Sequence, residues 1–319
     1  MPEVVCLGIV VADVWARPVD EWPERGRLAV VAETGISLGG CASNTAVGLA
    51  RMGVPVAVMG CIGEDGFGDL VLDLLRQDAV DVSGLYRTSV AGTSTTLILI
   101  DSQGERTYIH CFGADGHLDP ARLDMELIRS SRLLHLAGVL LMPGFDGEPQ
   151  AQVLAAAQAA GVTTCVDTAW DDTGRWMTAV GPLLPHTDLF LPSLPEAQKL
   201  TGLERPEEVA QALLDAGAGL VGLKMGPEGC YVRTANEELR SPAYPVKVVD
   251  GSGSGDAFVA GFLYGHLQGW DLERTAKFAN ALGGLATTAP GTTAGIRDYA
   301  QVIGLLEEHE PGEWEGMRG

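Results

Sequence analysis

The sequence predicts an α/β protein: a three-layer, mostly parallel sheet with helices on both faces and a small extra β-sheet. Short β-branched runs alternate with helical patterns along most of the chain. Two stretches, 14–38 and 93–112, break that alternation and read as extended insertions. The 319 residues, 46% hydrophobic and 20% charged, have the ordinary composition of a soluble globular protein with a sizeable core.

The segment "VVCLGIVV" (4–11) reads as the first strand. Residues 42–52 read as a helix that stops at Gly53, with Pro55 beyond it. A strand "PVAVMG" and a helix over 66–78 follow. Buried strands are expected at 132–138, 161–167, 187–192 and 218–226, with helices at 147–160, 195–202 and 206–216 between them. Three helices, near 255–268, 271–288 and 297–308, complete a single domain over 1–310, which leaves 311–319 as a tail. Within the insertions, "TSTTLILIDSQGERTYIHC" predicts a hairpin turning at Asp101–Gly104. The two insertions can pair into an accessory sheet or remain separate surface hairpins.

A net charge of −21 repels phosphate backbones and anionic lipid, which argues against nucleic-acid and membrane partners. The longest apolar stretch, 133–145, contains His135 and Pro143 and is too short for a bilayer. The N-terminus lacks the basic start of a signal peptide. Six scattered cysteines without a C-x-x-C pair fit a reduced, cytoplasmic compartment.

Chemistry concentrates in "DGSGSGDAF" (250–258), which leads into the apolar helix "AFVAGFLYG". Glycine lets the backbone approach a ligand, and successive N–H groups at a helix start bind anions. The same residues also suit a tight turn with Asp256 as a first-turn acid. Walker A is excluded because none of Lys199, Lys224, Lys247 and Lys277 follows a glycine. G-x-G-x-G near the C-terminus is not the G-x-G-x-x-G of a dinucleotide fold. What remains is an anion hole with a carboxylate beside it. Such a carboxylate repels phosphate unless it takes a proton from an attacking hydroxyl, as phosphoryl transfer to an alcohol requires.

Upstream, "GGCASNTAVGLARMG" (39–53) opens a helix on Gly39-Gly40 and places Asn44 in its first turns, a combination suited to vicinal hydroxyls or to an ordinary helix start. Asp13, near the end of the first strand, either accepts from the same hydroxyls or caps a turn.

These two signatures, in this order and at this separation, resemble the ribokinase-like, PfkB-type carbohydrate kinases over almost the whole chain. The resemblance implies ATP-dependent phosphorylation of a hydroxymethyl group. It implies Asp256 as catalytic base, with the N–H groups of Gly253, Ser254 and Gly255 as the anion hole. Sugar contacts are implied at Asp13, Gly39, Gly40 and Asn44, and at Asp115 where the family often has Asn. It puts Lys224, Gly226 and Asn280 around ATP, Glu196 and Ser193 at magnesium and phosphate, and Asp250 and Ser252 at a monovalent cation such as potassium. Ser193 departs from the family's Asn in Asn-x-x-Glu, and Ser193-x-x-Glu196 is also a capping box. The insertions match a lid that covers the sugar and, in several members, forms a homodimer contact.

The charge pattern favours a neutral sugar such as fructose or ribose. The alternatives are a nucleoside, with Trp15 or Trp170 stacking on its base, and a catalytically inactive sugar-binding regulator. Arginines at 17, 25, 27 and 106 are the groups that could instead admit an anionic substrate.

Overall fold

Val4 and Cys6 face one side of the central strand and Val5 and Leu7 the other, and all four are fully buried. A strand apolar on both faces belongs in the middle of a sheet covered twice. In the computed structural model, which describes residues 1–315, this strand, β1 (Val4–Gly8), pairs in parallel with β4 (Val56–Gly63) and β8 (Leu133–Val139). Beyond β4 lies β5 (Asp81–Thr88); beyond β8 lie β9 (Thr163–Thr168), β10 (Leu189–Phe190) and β11 (Leu220–Lys224), all parallel. An antiparallel hairpin, β12 (Cys230–Thr234) and β13 (Glu238–Ser241), ends the sheet. The half-exposed pattern of β5 and the short β13 carry weak apolar signals, so both edges escape a reading by periodicity.

One face is covered by α1 (Cys41–Arg51), α2 (Gly66–Gln77), α8 (Ser254–Leu267), α9 (Leu272–Ala286) and α10 (Tyr299–His309). The other is covered by α3 (Met125–Arg129), α4 (Glu148–Ala159), α5 (Trp176–Val180), α6 (Leu194–Thr201) and α7 (Pro206–Asp215). The predicted three layers are the observed ones.

The two insertions form one separate sheet of four strands, ordered β3 (Glu33–Gly39), β2 (Val11–Arg17), β6 (Ser94–Ile100), β7 (Arg106–Cys111). Its hairpin turns where expected, with Gly104 N–H donating to the Asp101 carbonyl at 3.1 Å. Among the described residues no helix is long and apolar enough to cross a membrane, and all six cysteines are free thiols.

The fold continues past residue 310. Trp314 is 1% exposed. Its ring lies 5.9 Å from that of Trp270 and 6.4 Å from that of Phe278, under the Arg274 guanidinium, and its indole N–H donates to Glu310 at 3.3 Å. Trp314 therefore adds to the core beside α9 while its neighbours in 311–315 stay exposed, and 316–319 of the expected tail lie outside the described residues. Trp314→Ala should lower stability by roughly 3–5 kcal/mol, the cost of emptying a buried aromatic site. Urea unfolding measures this, and a loss below about 1 kcal/mol would place Trp314 among surface residues.

Candidate active site

The carboxyl ends of β1, β9 and β11 point toward the loop that enters α8, the side of an open α/β sheet where ligands bind. Gly253 caps α8 at φ +70, and a Cβ there would lie 2.2 Å from the Thr292 carbonyl oxygen. The first-turn N–H groups of the helix have no intrahelical acceptor. They open onto the loop, and Asp256 sits in that same turn.

Asp256 is held from α1. Asn44 Nδ2 donates to Asp256 Oδ2 at 2.8 Å, and Thr45 Oγ1 donates to the Asp256 carbonyl at 3.3 Å. Asn44 Oδ1 accepts from Thr292 Oγ1 at 2.8 Å. Asn44 thus orients the carboxylate, and its amide keeps one N–H and one lone pair for a further partner. Burial raises the pKa of Asp256 above the usual carboxylate range, while Asn44, Lys224 and the Cys41 thiol pull it back.

Gly39 and Gly40 make room for this junction. A Cβ on Gly39 would lie 2.2 Å from Asp13 Oδ2; Gly40 has φ +91, and a Cβ there would lie 2.4 Å from the Ile9 carbonyl oxygen. Asp13 is 7% exposed. Burial pushes its carboxyl up to about 6, with Thr96 opposing and the Asp256 charge adding to the rise.

A second cluster flanks the loop. Lys224 Nζ lies 2.7 Å from both oxygens of Asp167. A Cβ on Gly255 would stand 3.4 Å from that Nζ, so the ammonium lies beside the anion loop. Burial works against the Lys224 charge, but Asp167 and Glu196 more than offset it and raise its pKa. Burial also pushes the Asp167 carboxyl up to about 7 against the pull of Lys224. We hold the pair to be ionic, because both carboxylate oxygens face the ammonium. Ser193 and Glu196 form the capping box: Ser193 N–H donates to Glu196 Oε2 at 3.0 Å and Ser193 Oγ accepts from Glu196 N–H at 3.4 Å. Glu196 Oε2 also accepts from Thr168 Oγ1 at 3.1 Å, which ties it to the end of β9. Asp167 and Thr168 were missed by motif reading; their place at the end of a buried strand was the available signal.

Two cavities meet at this loop. One, of ≈ 560 Å³, is lined by Lys224, Gly226, Ser254 and Gly255 at its mouth and by Tyr244 and Phe258 among its walls. Asn280 lines it too, but its amide donates to Ser241 and Pro242 oxygens, so its nitrogen braces the wall. The other, of ≈ 320 Å³, lies under the lid and is lined by Asp13, Trp15, Arg17, Arg106, Ser252 and Thr292, among others.

Two expectations change. Asp115 is fully buried and its carboxylate accepts from the Val10 N–H at 3.1 Å, while its own N–H donates to Ser94 Oγ. It fastens the lid strands to β1 and does not line the cavity under the lid, because satisfying a buried backbone N–H fixes it inward. Asp250, expected at a monovalent cation, has its carboxylate 2.7 Å from the Arg106 guanidinium instead. Ser252 N–H donates to Asp250 Oδ1 and Gly291 N–H to Oδ2, each at 2.7 Å.

A half-buried carboxylate beside a glycine loop at a helix N-terminus, flanked by one cavity with apolar walls and one under a lid, suits a phosphotransferase acting on a hydroxyl. Residues 1–298 match the model of the pfkB family carbohydrate kinases, and the chain belongs to that family. It is 30% identical over 295 residues to 2-dehydro-3-deoxygluconokinase of Bacillus subtilis (strain 168), covering 89% of this chain and 90% of that relative. It is 28% identical to Fructokinase-1 of Oryza sativa subsp. japonica, over 84% of this chain and 88% of the other. Arabidopsis thaliana ribokinase, solved with ribose and ATP, superposes with TM-score 0.84 at 25% identity, over 96% of this chain and 99% of that one.

Lowering the pH protonates Asp13 and Asp256 at higher pH than ordinary carboxyls, so sugar phosphorylation should be present above their raised pKa values and fall as pH drops through them. The kcat/KM profile should show its acid limb near pH 6, where the Asp13 carboxyl lies, instead of about 4, where an ordinary carboxyl titrates. An acid limb at about 4 would contradict the burial argument.

Proposed function

We propose that the protein transfers the γ-phosphoryl of ATP to a hydroxymethyl group of a neutral sugar, fructose or ribose being the first candidates. The observation that carries the reading is Asp256, half-buried in the first turn of α8 and oriented by Asn44, next to Gly255 of the one cavity and linked through Asn44 to Thr292 of the other. In this reading the ≈ 560 Å³ cavity takes the nucleotide, with its base against the wall at Tyr244 and Asn280. Asp256 accepts the hydroxyl proton as the oxygen attacks. The N–H groups of Gly253, Ser254 and Gly255, together with Lys224, hold the charge that develops on the transferring phosphoryl. Glu196 offers an oxygen donor of the kind magnesium takes, and bound magnesium supplies charge neutralisation at the phosphate oxygens. Retention of a positioned base argues against an inactive sugar-binding regulator, since binding alone needs none.

Neutrality of the substrate rests on pairing. Arg17 lies 2.6 Å from Glu33 and Arg106 lies 2.7 Å from Asp250, so both arginines at the sugar-side cavity already have carboxylate partners. Arg25 and Arg27 are exposed and do not line it. A carboxylate or phosphate substrate there meets Asp13 without a free cation. A nucleoside is the second reading, favoured by Trp15 in the cavity lining, whereas Trp170 is absent from it and packs on Trp176.

We also place a second copy of the chain against the lid. Ile36, Val14, Leu97 and Ile109 stand in register across its four strands and give one apolar row, with Ile36, Leu97 and Ile109 between 44% and 48% exposed.

On a panel of fructose, ribose, 2-dehydro-3-deoxygluconate and adenosine, kcat/KM should be highest for a neutral sugar. The highest value for the acid would overturn the charge argument. Asp256→Asn should cut kcat by at least about 100-fold while leaving ATP affinity near wild type, and near-wild-type turnover in the folded variant would remove Asp256 as base.

A further inference from the structure

Arg106 begins the lid strand β7, yet its guanidinium crosses to the loop that precedes α8. Its side chain is 14% exposed and its partner Asp250 is 4% exposed, so this is the pair that joins lid to loop out of bulk water. A second lid contact sits beside it: Tyr108 Oη lies 3.3 Å from Ser252 Oγ. Asp250 in turn governs the loop. Its carboxylate collects the N–H groups of Ser252 and Gly291, and its own N–H donates to the Thr287 carbonyl at 2.9 Å. Gly253, the αL cap of the helix bearing Asp256, follows one residue after Ser252.

The resemblance implies a monovalent cation at Asp250 and Ser252. The groups present do not suit one. Asp250 Oδ1 already meets a guanidinium nitrogen and an N–H, Oδ2 meets an N–H, and a metal cation in that place would face the Arg106 charge.

We propose that Arg106 is a positioning residue that supplies, from the lid, the positive charge that shapes the 250–255 loop, in place of a monovalent cation. Lid closure and assembly of the anion loop are then one event. With the lid raised, Asp250 loses its cationic partner, and the loop loses the contact that holds its N–H groups in place. With the lid down over a sugar, the loop is set for phosphate. ATP is thereby protected from water when no sugar is bound.

The proposal rests on the kinase reading, so one arm of its test needs no catalysis. Wild type, Arg106→Met and Arg106→Lys are compared in potassium chloride and in tetramethylammonium chloride at equal ionic strength. Thermal unfolding without substrate is the first readout. The wild-type Tm should be the same in both salts, whereas Arg106→Met should unfold at lower temperature in tetramethylammonium and gain several degrees in potassium. Steady-state phosphorylation of the best sugar is the second. Wild type should turn over equally in both salts. Arg106→Met should lose at least tenfold in tetramethylammonium and recover most of it in potassium, and Arg106→Lys should keep most of the rate in both. A wild-type rate or Tm that rises clearly with potassium would overturn the proposal, as would an Arg106→Met protein unaffected in both readouts. So would one equally slow in both salts with Arg106→Lys no better, because charge would then not be the property that matters. If wild type phosphorylates no sugar, the kinase reading fails while the Tm arm still decides the role of Arg106.

Discussion

The hydrogen bond from Asn44 to Asp256 spans 212 residues and fixes the geometry on which the site depends. It joins the first turn of α8 to α1. A buried carboxylate is poorly solvated and would otherwise take up a proton or turn toward another donor. Asn44 holds one of its oxygens, Thr292 holds Asn44 from the other side, and Thr45 ties down the Asp256 backbone. The carboxylate is left with raised basicity and one defined orientation, the properties that the proposed proton abstraction from an alcohol requires. The glycine pair at 39–40 follows from the same constraint, because α1 reaches Asp256 only if the chain before it passes against Asp13 and the Ile9 carbonyl.

Charge is distributed around that bond with the same economy. Lys224, Asp167, Glu196 and Asp256 lie at or beside the mouth of one cavity, and Asp13 lies in the wall of the other. In this acidic chain the arginines of the sugar-side cavity are both paired within the protein. The family includes relatives named for an acid and for a neutral ketose. The pairing is the feature of this chain on which the proposal of a neutral substrate rests.

Much of the fold was legible because buried strands and amphipathic helices alternate at standard lengths. The edges were not: β5 and β13 have too little buried apolar surface to announce themselves, and β12, though buried at Cys230–Val232, is only five residues long. Trp314 looked like part of a tail, because one aromatic near a terminus carries no period, yet it fills the core beside Trp270. The loop around Asp256 stood out in the sequence because its glycines, serines and acid are contiguous. The partners that tune it were hidden by distance. Asp167 meets Lys224 across 57 residues, and Arg106 meets Asp250 from another sheet. Asp115 misled for the opposite reason. Its polarity and place after the lid suggested a ligand contact, while its carboxylate satisfies the Val10 backbone inside the protein.

The two cavities share the loop that leads to Asp256, and the proposed function puts sugar on one side of it and phosphate on the other. A crystal structure of the ternary complex with the preferred sugar and a non-hydrolysable ATP analogue measures it directly. The account predicts the acceptor hydroxyl within about 3.2 Å of an Asp256 carboxylate oxygen, and the terminal phosphate against the N–H groups of 253–255. A complex in which that hydroxyl instead approaches Asp13 or Asp167, with Asp256 out of reach, would contradict it.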